Sequence, residues 1–144
     1  MGAVSNILKS KGNTIFSIAP DTMVYHALEI MVEKNVSALL VMENEKLAGI
    51  FTERDYARKV ILKGKASKET KISEIMTSNL ITVTSETTIE NCMRLMSDKH
   101  IRHLPVVDND QLAGIISIGD VVKYVIGEQK FIIEKMESYI TGGG

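Results

Sequence analysis

Gly114-Ile115-Ile116-Ser117-Ile118-Gly119-Asp120 has a counterpart sixty-five residues earlier, Gly49-Ile50-Phe51-Thr52-Glu53-Arg54-Asp55. Each copy begins as an apolar run that reads as a buried strand. Each then reaches a hydroxyl residue, Thr52 or Ser117, and three positions later an aspartate, Asp55 or Asp120. A helical pattern follows the aspartate. One hydroxyl and one carboxylate are therefore expected where a strand ends and a helix begins. Backbone N–H groups at a helix start lack intrahelical partners and favour anions. A carboxylate beside them can accept two hydrogen bonds from a vicinal diol, so the pair suits a nucleotide's phosphate and ribose. The same residues also spell a capping box, which needs no ligand. Both readings can hold at one corner.

The duplication reaches well beyond these seven residues. Laying 15–60 over 80–125 needs no gap, and twelve of the 46 aligned positions are identical, among them Leu39/Leu104, Asn44/Asn109, Gly49/Gly114 and Asp55/Asp120. Upstream, Val4-Ser5-Asn6-Ile7-Leu8 resembles Ile72-Ser73-Glu74-Ile75-Met76 at an offset of 68, so the first copy carries three extra residues near Gly12-Asn13-Thr14. A repeat of this length decides the architecture before any motif is read. Each copy predicts a short helix (4–9 or 72–76) and a brief strand (15–18 or 81–83). A helix follows, opened by Asp21-Thr22 or Glu86-Thr87. Val24, Ala27, Leu28, Met31 and Val32 mark its apolar face in the first copy, Ile89, Cys92, Met93 and Met96 in the second. Two strands come next (38–42 and 47–51, or 103–107 and 112–116), joined by polar turns. A last helix runs through Tyr56, Val60 and Ile61, or through Val121, Val122 and Val125.

The fold class expected is α/β (α+β): two tandem β-α-β-β-α repeats packed with pseudo-twofold symmetry, since one unit is too small to bury its sheet alone. Residues 1–62 form the first repeat with its N-terminal helix, 63–71 a polar linker and 72–127 the second repeat. Residues 128–144 form a C-terminal helix and a disordered tail, Gly142-Gly143-Gly144. That helix has no counterpart in the first copy. Its apolar Phe131, Ile132, Met136, Tyr139 and Ile140 suit either packing on its own module or binding a partner.

Composition excludes several classes. A formal net charge of −1 gives no electrostatic reason to expect nucleic acid or an anionic membrane. No apolar run is long enough to span a bilayer, and residues 1–11 lack a signal peptide's apolar core. The single Cys92 cannot form an intramolecular disulfide and fits a reducing, cytoplasmic setting. Neither a Walker-type loop nor a G-x-G-x-x-G fingerprint is present. Cys92 lies on the apolar face of its helix and reads as a buried thiol rather than a nucleophile. His26, His100 and His103 do not form a metal-ligand set with it.

Three stretches carry a family resemblance: Ile101-Arg102-His103-Leu104-Pro105-Val106-Val107, Leu112 to Asp120, and Gly49 to Tyr56. Over roughly residues 4–126 the chain resembles a tandem pair of CBS domains, a Bateman module, and is most similar to stand-alone two-repeat proteins of that family. The resemblance implies a regulatory module rather than an enzyme, binding an adenine nucleotide (AMP or NAD, with ATP possible) and no metal. It further implies a homodimer that signals energy or redox state to an effector protein. Asp55 and Asp120 would hold ribose, while Thr52 and Ser117 would face phosphate. Arg102 and His103 would help hold phosphate in the second copy's site. Adenine would lie in an apolar slot from the other repeat: Ile15, Phe16, Val36, Ser37 and Ala38 for the Asp120 site, and Leu80, Ile81, Ile101, Arg102 and His103 for the Asp55 site. The chemistry agrees, because Arg102 offers a planar set of donors for phosphate oxygens and His103 a proton-dependent one.

The two sites are not equal in sequence. The first copy has Ser37-Ala38 where the second has Arg102-His103, Arg54 where it has Gly119, and Leu40 where it has Pro105. The Asp55 site would therefore draw its phosphate partner from Arg54. The competing reading is a ligand-independent interaction module that uses the C-terminal helix.

Overall fold

The structure is a computed structural model that describes residues 2–12 and 14–140. The tail glycines 142–144 lie outside the described residues. The chain divides into two compact units, and these interleave along the sequence.

One unit is Thr14–Ile81 with Asp110–Leu112. It contains β1 (Ser17–Ile18), α2 (Val24–Lys34), β2 (Ala38–Glu43), β3 (Lys46–Thr52), the single turn α3 (Glu53–Asp55), a π-helical segment Tyr56–Ile61 and a 3₁₀ turn Ile72–Glu74. The sheet order is β1-β2-β3. β1 runs parallel to β2, pairing Ser17 with Leu40, and β2 runs antiparallel to β3, pairing Ala38 with Thr52 and Leu39 with Phe51. Its core gathers Ile18, Val24, Ala27, Met31, Leu39, Val41, Phe51, Val60, Ile72 and Ile75. The face predicted for α2 needs one correction. Val32 is 82% exposed, because it falls one position past the stripe that Val24, Ala27 and Met31 bury.

The other unit takes in α1 (Val4–Lys11), Thr82–Asn109 and the chain from Ala113 onward. It holds α4 (Ile89–Lys99), β4 (His103–Asp108), nearly all of β5 (Gln111–Ser117) and α5 (Ile118–Ile140). β4 and β5 pair as a two-stranded sheet. The strand predicted at 81–83 shrinks to one parallel bridge, Val83 to Val106. The N-terminal helix thus packs with the second copy's elements, and the turn Ile72–Glu74 with the first copy's.

Both central helices begin later than predicted, at Val24 and Ile89. Thr22 is drawn into a turn instead: its N–H donates to Ala19 O at 3.1 Å and its carbonyl accepts from Ile72 at 2.8 Å. Thr88, rather than Glu86 or Thr87, caps α4 by accepting Asn91 N–H. The helix predicted at 72–76 contracts to its 3₁₀ turn. The polar connector 63–71 is tied to the start of α2: Val24 N–H donates to Thr70 O at 2.8 Å and Tyr25 N–H to Ser67 O at 3.0 Å.

The identities between the copies now have physical causes. Asn44 and Asn109 adopt φ of 52° and 50°, followed by Glu45 and Asp110 at 64° and 62°. These are the two left-handed residues of a two-residue hairpin, where Asn is well tolerated. At Gly114, an added Cβ would come 2.9 Å from Leu8 Cδ2. At Gly49 it would come 2.7 Å from Met76 Sδ and 2.9 Å from Thr77 O. Leu8 and Met76 are themselves equivalent in the repeat, so each glycine receives the same residue of an N-terminal segment. Gly49→Ala is expected to cost about 1–3 kcal/mol. Gly114→Ala is expected to cost less, because a leucine side chain can shift where the Thr77 carbonyl cannot. Thermal melting of the two variants checks the order.

C-terminal to Ser117 runs one continuous 23-residue helix, α5. Its far half does not bury an apolar face: Phe131, Ile132, Ile133 and Met136 are each more than half exposed. Packing of this segment on its own module is therefore not what the described residues do.

Candidate functional site

At both corners the capping box is complete. Thr52 Oγ1 accepts Asp55 N–H at 3.1 Å, and Asp55 Oδ2 accepts Thr52 N–H at 3.0 Å. Ser117 Oγ accepts Asp120 N–H at 3.1 Å, and Asp120 Oδ2 accepts Ser117 N–H at 2.8 Å. The first helical N–H of each corner is also used. Glu53 donates to Ser37 O at 3.2 Å, and Ile118 to Arg102 O at 2.8 Å. The expectation of open N–H groups at each helix start is thus corrected, because the carbonyls just before β2 and β4 and the capping side chains take two of them at each corner.

Those two carbonyls fix what surrounds each corner. Ser37 and Ala38 stand beside Thr52, with Ala38 its register partner. Ile101 is anchored by its N–H to Met96 O at 3.1 Å, which delivers Arg102 and His103 to the Ser117–Asp120 corner. Arg102 is exposed there and His103 half-buried. In the first copy's unit, Ile15, Phe16, Val36, Leu80 and Ile81 are half-buried and Arg54 is exposed. Phe16 O accepts Leu40 N–H at 3.3 Å, and Lys34 Nζ stands 5.5 Å from the Phe16 ring centre.

Three residues at the corners were missed by sequence reasoning. Lys11, at the end of α1, places Nζ 2.6 Å from Asp120 Oδ2 and 2.8 Å from Ile115 O. Lys59 places Nζ 3.0 Å from Asp55 Oδ1. Thr77 donates its hydroxyl to that same oxygen at 2.9 Å. Only Lys59 had a local signal, the i, i+4 spacing of an acid before a base on a helix.

Burial pushes the Asp120 carboxyl up, but the hydrogen bond from Lys11 and that from the Ser117 backbone, with the Lys11 charge and the Ser117 hydroxyl, outweigh it and hold the group below the usual range. His103 moves below its ordinary value through burial first, then the charges of Lys11 and Arg102, with Asp120 opposing. It is therefore the neutral imidazole near pH 7. The unfolded chain takes up this proton first, so stability should be lost as pH falls from about 6.5 toward the lower folded value. Melting curves across that range should show the loss, and His103→Gln should flatten it.

Beside Asp120 lies a cleft of about 620 Å³ whose lining includes Ser10, Lys11, Lys123, Tyr124 and Phe131. Cys92 is buried, and burial raises its thiol's pKa. Among the described residues, no group of three or more His, Cys, Asp or Glu side chains could hold a metal ion. Among the same residues no helix is long and apolar enough to cross a membrane.

The comparisons with known proteins agree with this architecture. The CBS domain model matches residues 6–62 and again 72–127. The chain belongs to the CBS domain family and carries two such domains in tandem. It is 44% identical over 150 residues to the CBS domain-containing protein CBSX3, mitochondrial, of Arabidopsis thaliana, a match covering 97% of this chain and 72% of that protein. Among solved structures, a protein with CBS domains from Burkholderia ambifaria superposes with a TM-score of 0.85 at 46% identity, covering 88% of this chain and 96% of that one. A CBS domain pair solved in complex with 5′-methylthioadenosine and S-adenosyl-L-methionine superposes with a TM-score of 0.75 at 26% identity, over 85% of this chain and 98% of that one.

Proposed function

We propose that this CBS pair is a non-catalytic sensor module that binds an adenine nucleotide of the AMP or NAD class and reports its occupancy to an effector protein in a reducing compartment such as the cytoplasm. The observation that carries the reading is the Asp120 corner. It has a partly exposed carboxylate paired with Lys11, with His103 in electrostatic reach of both and Arg102 in reach of His103. The carboxylate suits a ribose diol and the basic groups suit phosphate. The ligands of the related solved pair, 5′-methylthioadenosine and S-adenosyl-L-methionine, support the adenosine part of the reading. Titration with AMP, ATP and NAD tests the reading. Saturable binding that saves the protein from thermal unfolding is expected, and failure of all three to bind would sink it.

The exposed Phe131, Ile132, Ile133 and Met136 favour a second element of the reading, a homodimer. A contact through one face of α5 would be isologous. Sedimentation at micromolar concentration should give a dimer, and Phe131→Glu with Met136→Glu should give a monomer. A wild-type monomer at every concentration would contradict it.

A further inference from the structure

The two corners share a sequence pattern but differ in what a ligand would have to displace. We infer that the module takes its nucleotide at Asp120 only, and that the Asp55 carboxylate is a structural brace. The inference rests on the ribose-binding reading above.

An ionised carboxylate has roughly four lone-pair positions. At Asp55 four donors fill them. Oδ2 receives Thr52 N–H at 3.0 Å and the Thr52 hydroxyl at 3.1 Å. Oδ1 receives the Thr77 hydroxyl at 2.9 Å and Lys59 Nζ at 3.0 Å. The side chain is only 9% exposed. A ribose diol would have to evict two of these donors, and they are held. Thr77 is fixed through its backbone, which exchanges two 2.9 Å hydrogen bonds with Ile50, while its neighbour Met76 packs on Gly49. Lys59 also reaches Thr77 Oγ1 at 3.3 Å. Thr52 is the corner's own cap.

The Asp120 side chain is 24% exposed, and the non-local donor it holds is a lysine that is itself 30% exposed. Lys11 Nζ also donates to Ile115 O at 2.8 Å, but it rides on a flexible four-carbon stem and has three donors, so it can turn from the carboxylate to water or to an arriving phosphate. The exchange costs little, because a partly exposed ion pair is weak. One corner is therefore open to exchange and the other is locked by a neighbouring segment of backbone.

Calorimetric titration with AMP reads the difference as the number of nucleotides bound per chain. The expected result is one AMP per chain. Thr77→Val, which removes a donor from Asp55 and keeps the side-chain shape, should melt at a lower temperature and bind AMP with unchanged number and affinity. Two AMP per chain, or a Thr77→Val protein whose AMP affinity rises or falls tenfold, overturns the inference and leaves the ribose reading standing. If ATP or NAD binds and AMP does not, the same counts are read with that ligand; a wild-type protein that binds none of the three overturns both.

Discussion

Asp120→Ala is expected to weaken AMP binding by about tenfold to a hundredfold. The substitution removes the acceptor for two ribose hydroxyls, and charge-assisted hydrogen bonds of this kind contribute roughly 1.5–3 kcal/mol. Three further consequences follow from the contacts at the corner. Lys11 loses its carboxylate and keeps Ile115 O. Ser117 N–H loses its acceptor, while Ser117 Oγ still accepts the N–H at position 120. His103 loses the one charge that favours its protonated form. Some stability goes with the cap, on the order of 1 kcal/mol. Melting without ligand therefore has to accompany the titration. A folded Asp120→Ala protein with unchanged AMP affinity would refute the ribose role. Asp120→Asn is the sharper comparison: it keeps the shape and one acceptor oxygen but removes the charge that Lys11 answers.

Much of this fold was legible because the repeat averages out local noise. The strands 38–42 and 103–107 were expected and are β2 and β4, each within a residue or so. Their hairpin partners were equally plain, since a fully apolar run between turn residues has few other readings. The errors fall where structure depends on a neighbour rather than on the local pattern. Thr22 looked like a helix start, yet its carbonyl is claimed by Ile72, fifty residues away. Val32 belonged to the helical stripe by character, but burial on α2 stops at Met31. The strand at 81–83 had the right residues and found only Val106 to pair with.

The corner residues show the same division. Thr52, Asp55, Ser117 and Asp120 could be read from spacing alone, because a capping box is a local device. Lys11 and Thr77 could not, since each arrives from a distant segment: Lys11 lies 109 residues from Asp120 and Thr77 lies 22 from Asp55. Sequence reading placed the N-terminal helix with the first repeat, whereas the compact unit that holds it is built around α4 and α5. Without that exchange of segments there is no route from Lys11 to Asp120. The asymmetry predicted from Arg54 against Gly119 concerned phosphate. The asymmetry at the carboxylates turns on other residues, among them Lys59, whose repeat equivalent Tyr124 donates to Glu128 at 2.8 Å instead.

Asp55→Ala is expected to be the more damaging change for stability, about 2–4 kcal/mol, even though the two aspartates align. Removing the carboxylate strands several donors at once around a nearly buried side chain, and each buried unsatisfied group costs about 1–3 kcal/mol. Thr52 N–H loses the Asp55 oxygen it donates to, and the Thr77 hydroxyl loses its partner between β3 and the segment after Ile72–Glu74. Lys59 can reach solvent, as it is 42% exposed, so its lost ion pair adds little. The Thr52 hydroxyl can still cap position 55, which keeps the total below the sum of the parts. For a chain of this size about 3 kcal/mol lowers the melting temperature by roughly 6–12 °C. Asp120→Ala should fall by much less, because its carboxylate is more exposed and the Lys11 ammonium can hydrate. Hydrogen exchange separates a brace from a mere cap: in Asp55→Ala, protection should be lost at Ile50 and Thr77, whose backbone groups pair across this site. If protection falls only at residues 53–55, or if the two alanine variants melt together, the carboxylate caps a helix and braces nothing.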